Sequence, residues 1–228
     1  MRHPSRRQDV FLVETAHGPA RIHLAGPRRP GLLVVLGHGA GGGVEAVDLV
    51  AVTGRLVDAG AAVARVEQPY RVAGRRAPAP ARQLDAAFLA AVAAIRTVVG
   101  LARAPLVTGG RSLGARVACR TAGELAVAGV VALSFPLHPP GRPDRSRLAE
   151  LVGVTQPVLV VQGDRDPFGR PAEFPSGTRL VAIAGADHGL QADPRAVADA
   201  VVAFVAGLVG NPAAVSGVVG GRATSVSA

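Results

Sequence analysis

Short apolar segments that alternate with helix-like segments constrain the fold of this chain more than any other feature. Six such segments have the length of single strands, and they span 31–37, 61–67, 105–110, 129–135, 157–163 and 179–185. The run GLLVVLG at 31–37 is continuously apolar, as expected for a strand that is buried on both faces of a sheet.

Helical periodicity fills most of the intervals between these strands. Apolar residues recur three and four positions apart in 82–99, and helices are also predicted at 44–60, 113–125 and 194–209. Asp193 is a suitable N-cap for the last helix. Strands that alternate with helices form βαβ units, so the sequence predicts a mostly parallel sheet with helices on both faces.

Two further strands precede this pattern. DVFLVET (9–15) and ARIHLAG (20–26) flank the turn AHGP and predict an antiparallel hairpin. A chain of 228 residues suits one large domain, which we place at 9–209. We expect a flexible basic N-terminus over 1–8, and a disordered tail rich in Gly, Ala, Val and Ser over 210–228.

The formal net charge of +9 raises the question of nucleic-acid binding. All 25 basic residues are arginine, and they are spread along the chain instead of forming one stripe. Aromatic residues make up only 3% of the chain, so platforms for stacking bases are scarce. We therefore expect no specific nucleic-acid function.

Cysteine content and the termini limit other classes of protein. The single cysteine, Cys119, excludes an internal disulfide and a multi-cysteine metal site. The pair Arg6–Arg7 is followed by no apolar stretch of the length an export signal needs, and Asp199 interrupts the longest apolar run near the C-terminus. We expect a cytoplasmic protein that does not enter a membrane.

The segment GGRSLG (109–114) places Ser112 between a predicted strand and a predicted helix. Gly110 and Gly114 lack side chains, which lets strand and helix approach in a tight turn that presents the serine hydroxyl above the sheet. The N–H of Leu113, at the start of the helix, is then a donor for a developing oxyanion. A serine that lies by chance among the 29 glycines is the alternative.

This motif and the segments that follow it resemble the α/β-hydrolase superfamily, whose triad runs in the order nucleophile, acid, histidine. The resemblance implies Ser112 as nucleophile, Asp166 as acid and His188 as base. Asp164 precedes Asp166 in the same acid loop and is the less favoured alternative. Asp187 is expected at the surface.

LGHGAGGG (36–43) follows the first parallel strand and resembles histidine–glycine oxyanion loops. The resemblance implies that the N–H of Ala40 is the second oxyanion donor, with that of Gly41 next. We expect His38 to support the loop through hydrogen bonds. No Lys follows the glycines and their spacing is not that of a dinucleotide fingerprint, so phosphate binding is not expected.

Several residues fall beside the predicted site and are possible substrate-binding residues. They are Tyr70, Arg71, Arg111, Phe135 and His138. In this role they would shape an acyl or carboxylate pocket, with Arg111 as an anion contact. An ordinary solvated loop accounts for these residue types equally well.

EQPYRVAGRRAPAP (67–80), SFPLHPPGRP (134–143) and GDRDPFG (163–169), together with GGRSLGARVA, resemble a small, compact branch of the superfamily. That branch includes bacterial dienelactone-hydrolase-like proteins. It also includes the region shared by a testis-expressed vertebrate protein and a subunit of the non-specific-lethal histone acetyltransferase complex. The resemblance implies a three-layer α/β sandwich. The short interval 136–156 indicates that no cap domain is present.

The function expected from these features is a serine hydrolase that cleaves a small or polar ester, thioester or lactone through an acyl-enzyme. Its partner is a small-molecule substrate, it needs no metal or cofactor, and it is a monomer or a homodimer. The alternative is a weakly active or inactive scaffold that keeps the fold for binding protein partners.

Overall fold

A single eight-stranded sheet runs through the computed structural model, which describes residues 6–210. The strands are β1 (Arg6–Val13), β2 (Ala20–Pro27), β3 (Leu33–Gly37), β4 (Ala62–Glu67), β5 (Leu106–Arg111), β6 (Gly129–Leu133), β7 (Val158–Gly163) and β8 (Leu180–Ile183). Their order across the sheet is β1-β2-β4-β3-β5-β6-β7-β8.

The sheet is parallel from β4 to β8 and antiparallel at its N-terminal edge. β2 pairs antiparallel with both β1 and β4, which confirms the predicted hairpin. Every residue of β3 and of β6 is buried, whereas β2 alternates between buried and half-buried residues. The continuous apolar runs therefore mark the central strands, which are covered on both faces.

Helices cover both faces of the sheet. They are α1 (Val47–Asp58), α2 (Pro69–Val72), α3 (Ala81–Thr97), α4 (Leu113–Leu125), α5 (Leu148–Val152) and α6 (Pro194–Val209). One face packs against α1 and α6, and the other packs against α2 to α5. Phe204 of α6 and Phe88 of α3 are the largest fully buried helical side chains of the two layers. The predicted three-layer sandwich is confirmed.

Local differences from the predicted elements lie at the edges and in the loops. β1 begins at Arg6, three residues before the predicted start, because all eight of its residues pair with β2. The short helix α2 and a 3-10 turn at Pro171–Glu173 lie in segments that were predicted to be loops. Residues 1–5 and 211–228, which hold most of the predicted flexible terminus and tail, lie outside the described residues.

The carboxyl edge of the sheet is open between β6 and β7. Apart from loops, that interval contains only α5, a helix of 5 residues. Among residues 6–210 no cap domain covers this edge, as the short interval predicted.

Three glycines bring β3, β5 and α4 into backbone contact. A Cβ atom added to Gly110 or to Gly114 would overlap the carbonyl oxygen of Gly37. Side chains are therefore excluded where strand β5 turns into helix α4, two residues on either side of Ser112.

We predict that Gly114→Ala lowers the free energy of unfolding by about 2 kcal/mol, because backbone would have to move to admit the methyl group. Gly123→Ala, in the same helix, is the matched control. Its Cβ would meet no atom within 4 Å, so we expect a gain of about 0.5 kcal/mol from helix propensity. Urea unfolding followed by circular dichroism measures both. Equal effects of the two substitutions would contradict the close approach.

Candidate active site

Ser112 lies between β5 and α4 with an unusual backbone conformation. Its φ and ψ are 53° and −109°, outside the regions that non-glycine residues normally adopt. The N–H of Ser112 donates to the carbonyl of Leu133 on the neighbouring strand β6 at 2.8 Å. The strain is thus held by the sheet, as is common at functional sites.

A continuous hydrogen-bonded line joins Ser112, His188 and Asp166. The Oγ–H of Ser112 donates to Nε2 of His188 at 2.8 Å. Nδ1–H of His188 donates to Oδ2 of Asp166, also at 2.8 Å. This arrangement assigns the proton of the neutral imidazole to Nδ1 and leaves Nε2 free to accept from the serine.

Asp166 is fully buried, and its carboxylate is held by two further donors. Nε2 of Gln162 donates to Oδ2 at 2.8 Å, and the N–H of Phe168 donates to Oδ1 at 2.8 Å. Gln162 also donates to the carbonyl of Gly169 at 2.8 Å, which ties the acid loop to β7. Sequence analysis missed Gln162, although a glutamine inside an apolar strand was an available signal.

The neighbouring carboxylates are occupied elsewhere or exposed. Asp164 is solvent-exposed. Oδ1 of the exposed Asp187 accepts from the N–H of Gly189 at 2.7 Å. Asp166 is therefore the carboxylate of the acid loop that contacts His188.

Phe168 forms one side of the imidazole environment. Its ring lies 4.1 Å from that of His188, centroid to centroid, with an angle of 31° between the planes. This tilted ring contact limits rotation of the histidine away from Ser112. Phe168 was not among the predicted site residues, and nothing in its local pattern distinguishes it from an ordinary loop phenylalanine.

Hydrogen bonds from the side chains of His38 and Tyr70 hold the loop that follows β3. Nδ1–H of His38 donates to the carbonyl of Gly39 at 2.8 Å, and Nε2 accepts from the N–H of Gln68 at 3.0 Å. Burial lowers the pKa of His38, which keeps the ring neutral in this role.

The hydroxyl of Tyr70 donates to the carbonyl of Ala40 at 3.0 Å. Burial raises the pKa of Tyr70 to about 12, so the hydroxyl stays protonated. Because a trans peptide points its C=O and N–H in opposite directions, the N–H of Gly41 faces away from Tyr70. Ala40 and Gly41 line the same groove as Ser112 and Leu113.

This groove has a volume of about 510 Å³. Its lining residues are Gly39, Ala40, Gly41, Gly42, Pro78, Arg111, Ser112, Leu113, Arg116, Pro136, Arg147, Phe168 and His188. Three arginines among them give the wall a basic character.

Arg111 lines the groove, but its guanidinium is engaged with the protein. Nη2 donates to the carbonyl of His188 at 2.8 Å, and Nε lies 3.2 Å from Oδ2 of Asp48 on α1. Asp48 is fully buried, and its carboxylate faces the guanidinium of Arg111 without an aligned hydrogen bond between Nε and Oδ2. The structure therefore gives Arg111 a role in holding the histidine loop and not the predicted role of a free anion contact.

The other four predicted substrate-binding residues are directed elsewhere, and the lining described within residues 6–210 does not include them. Phe135 is fully buried in the core beneath α4. Nε2 of His138 lies 2.8 Å from Oε2 of Glu173. Tyr70 supports the oxyanion loop, and Nη1 of Arg71 is 3.5 Å from the carbonyl of Arg75. The structure does not bring these four side chains to the groove lining, because position at a strand end does not fix where a side chain points.

The sequence of this chain matches a known protein family. A family model described as an α/β-hydrolase domain matches residues 30–201. The chain belongs to the α/β-hydrolase family. A search of curated protein sequences finds no significant match.

Solved structures with this hydrolase fold are similar over nearly their whole length. Est1E from Butyrivibrio proteoclasticus is 18% identical with a TM-score of 0.73, and the match covers 89% of this chain and 99% of that one. A serine hydrolase without a lid from Xanthomonas campestris is 20% identical, with a TM-score of 0.68 and coverage of 89% and 96%. Dienelactone hydrolase from Anabaena variabilis is 21% identical, with a TM-score of 0.66 and coverage of 87% and 95%. At these identities the similarity shows the fold.

Two other kinds of feature are absent from the described residues. Among residues 6–210, no helix combines the length and apolar character that crossing a membrane requires. The same residues contain no cluster of three or more His, Cys, Asp or Glu side chains arranged to bind a metal ion.

We predict that Arg111→Met lowers the free energy of unfolding by about 3 kcal/mol, because it leaves the buried Asp48 carboxylate without its counter-charge. Burial already raises the pKa of Asp48 against the opposing effect of Arg111. Because the folded state then binds the proton more tightly than the unfolded chain, ionised Asp48 costs stability as pH rises above the unfolded value of about 3.9. The loss in Arg111→Met is therefore expected to be larger at neutral pH than at about pH 5.

Urea unfolding at the two pH values measures this effect. The double variant Arg111→Met/Asp48→Asn is expected to recover most of the lost stability and to lose the pH dependence. Arg195→Met, at a side chain that is 86% exposed, is the control. A single variant with the same stability loss at both pH values would show that Asp48 does not depend on Arg111.

Proposed function

We propose that this protein is a serine hydrolase that cleaves a carboxylic ester, thioester or lactone through an acyl-enzyme. The observation that supports this most strongly is the line from Ser112 through His188 to Asp166, with both hydrogen bonds at 2.8 Å. A hydroxyl is a weak nucleophile unless an adjacent base takes its proton, and His188 is placed to do so.

In the first half of the reaction, Oγ of Ser112 attacks the substrate carbonyl carbon while its proton moves to Nε2 of His188. Asp166 stabilises the resulting imidazolium through Nδ1–H. The negative charge on the carbonyl oxygen is stabilised by the N–H of Leu113 together with that of Ala40 or Gly41. His188 then gives its proton to the leaving oxygen or sulfur as the bond to the acyl carbon breaks.

Water completes the cycle. His188 takes a proton from water, whose oxygen attacks the acyl carbon of the ester with Ser112. The same donors stabilise the second oxyanion, and the proton passes from His188 to Oγ of Ser112 as the carboxylic acid leaves. For a lactone substrate, the product of the full cycle is the hydroxy acid.

The open groove favours small or polar substrates over long acyl chains. Between β6 and β7 the chain forms only loops and the short helix α5, so the described residues supply no apolar lid to cover a lipid chain. The dienelactone hydrolase among the structural neighbours fits this substrate class. Membership of the narrower branch with the testis-expressed and non-specific-lethal-complex proteins stays a prediction.

Hydrolysis of 4-nitrophenyl acetate by Asp166 variants tests the proposed function. We expect Asp166→Asn to lower kcat by roughly a thousandfold or more, because the amide no longer holds the imidazole in the required tautomer. Asp164→Asn changes an exposed carboxylate of the same loop and should retain wild-type kcat. Equal activity of Asp166→Asn and wild type would contradict the mechanism, and an inactive wild type would favour the scaffold alternative.

A further inference from the structure

Arg147 lies in the groove wall with much of its guanidinium unused. The residue follows β6, and its backbone N–H donates to the carbonyl of Leu137 at 2.7 Å, which fixes the start of the side chain. Nη1 lies 3.4 Å from the carbonyl of Pro136, at the long end of the hydrogen-bond range. A guanidinium has five N–H donors, so most of this one is free to bind a ligand.

Guanidinium groups outnumber carboxylates in the cluster around Arg147. The carboxylate of Glu150, one turn further along, is already shared by two other arginines. Its Oε1 accepts from Nη2 of Arg116 at 2.6 Å, and its Oε2 accepts from Nε of Arg116 at 2.7 Å and from Nη1 of Arg120 at 3.2 Å. Asp85 pairs with Arg120 on its other side, at 2.6 and 2.8 Å.

This cluster therefore contains three guanidinium groups and two carboxylates. Within residues 6–210, Arg147 makes no salt bridge of its own with a carboxylate. Burial and the charge of Arg116 both lower the pKa of Arg147, against the opposing effect of Glu150. An anion in the groove would give Arg147 the counter-charge that the two carboxylates of the cluster do not supply.

The other two arginines of the groove lining are bound to groups of the protein itself. Arg111 is engaged with Asp48 and with the carbonyl of His188, and Arg116 is engaged with both oxygens of Glu150. Arg147 is the arginine of this lining whose guanidinium N–H groups remain available to a ligand. It lines the same groove as Ser112.

We propose that Arg147 binds a carboxylate of the substrate, so that the preferred substrates are esters with a second, anionic end. This inference rests on the proposed ester hydrolysis at Ser112. Because Arg147 and Ser112 line one groove, the bound carboxylate would belong either to the acyl half or to the alcohol half of the ester. A planar carboxylate suits the arginine fork because two parallel N–H···O bonds can form.

Two pairs of esters, matched in shape, test the preference and distinguish its two sources. Monoethyl glutarate and ethyl 5-methylhexanoate differ by a carboxylate in place of an isopropyl group in the acyl half. The pair 4-acetoxybutanoate and 4-methylpentyl acetate makes the same exchange in the alcohol half. Release of acid at constant pH gives kcat/KM for each ester. We expect the wild type to prefer the anionic member of one pair by roughly tenfold or more.

The ratio of kcat/KM within a pair is then compared between variants, which cancels any general loss of activity. Arg147→Gln is expected to bring the ratio close to one. Arg145→Gln removes the same charge from an exposed position in the same loop and should keep the wild-type ratio. Added salt should reduce the preference of the wild type.

Binding of monoethyl glutarate and 4-acetoxybutanoate to Ser112→Ala protein, measured by calorimetry with and without Arg147→Gln, separates this proposal from the proposed function. Binding that depends on Arg147 without hydrolysis by the wild type would support the anion site and contradict the hydrolase. Hydrolysis with equal rates within both pairs, or a preference that survives Arg147→Gln, would overturn the anion site alone. Neither turnover nor binding that depends on Arg147 would overturn both.

Discussion

Backbone contact between β3, β5 and α4 is the constraint on which the site depends. Gly37, Gly110 and Gly114 meet where a single added methyl group would overlap a carbonyl oxygen. This approach forces the turn at Ser112 into its positive-φ conformation and places the first N–H groups of α4 beside the serine. The hydrogen bond from Ser112 to Leu133 ties the same turn to the next strand. Nucleophile and oxyanion donor are thus positioned by packing of the main chain.

Polar side chains position Asp166, His188 and the loop after β3 through hydrogen bonds. Gln162 fixes the carboxylate of Asp166, and Arg111 fixes the loop of His188 through a main-chain carbonyl. His38 and Tyr70 each hold one carbonyl of the loop that faces Ser112. Each of these four side chains donates to a carboxylate or to a main-chain carbonyl in a low-dielectric setting, where an unpaired partner would be costly. Rigid support leaves the groove itself open, with Arg147 as its available charge.

The sequence was sufficient to predict the sheet, its hairpin and the absence of a cap, because apolar runs and their spacing depend on burial alone. It also named Ser112, Asp166 and His188, which the structure brings into one hydrogen-bonded line. The contacts of Arg111 could not be predicted from the sequence. Its partners Asp48 and His188 are distant in sequence, and His188 is 77 residues away. The local sequence pattern around Arg111 therefore does not indicate them. Phe135 is at the predicted strand end, yet its side chain turns into the core, a choice made by packing against the helices.

Reaction with a fluorophosphonate, followed by mass spectrometry of the labelled peptide, tests the central claim most directly. The account predicts one adduct per chain on Ser112, formed quickly by the wild type and lost in Ser112→Ala and in His188→Ala. Labelling of Ser112 that persists in His188→Ala at the wild-type rate would show that the histidine does not activate the serine. A folded wild-type protein that resists the reagent at high concentration would contradict the existence of an activated nucleophile.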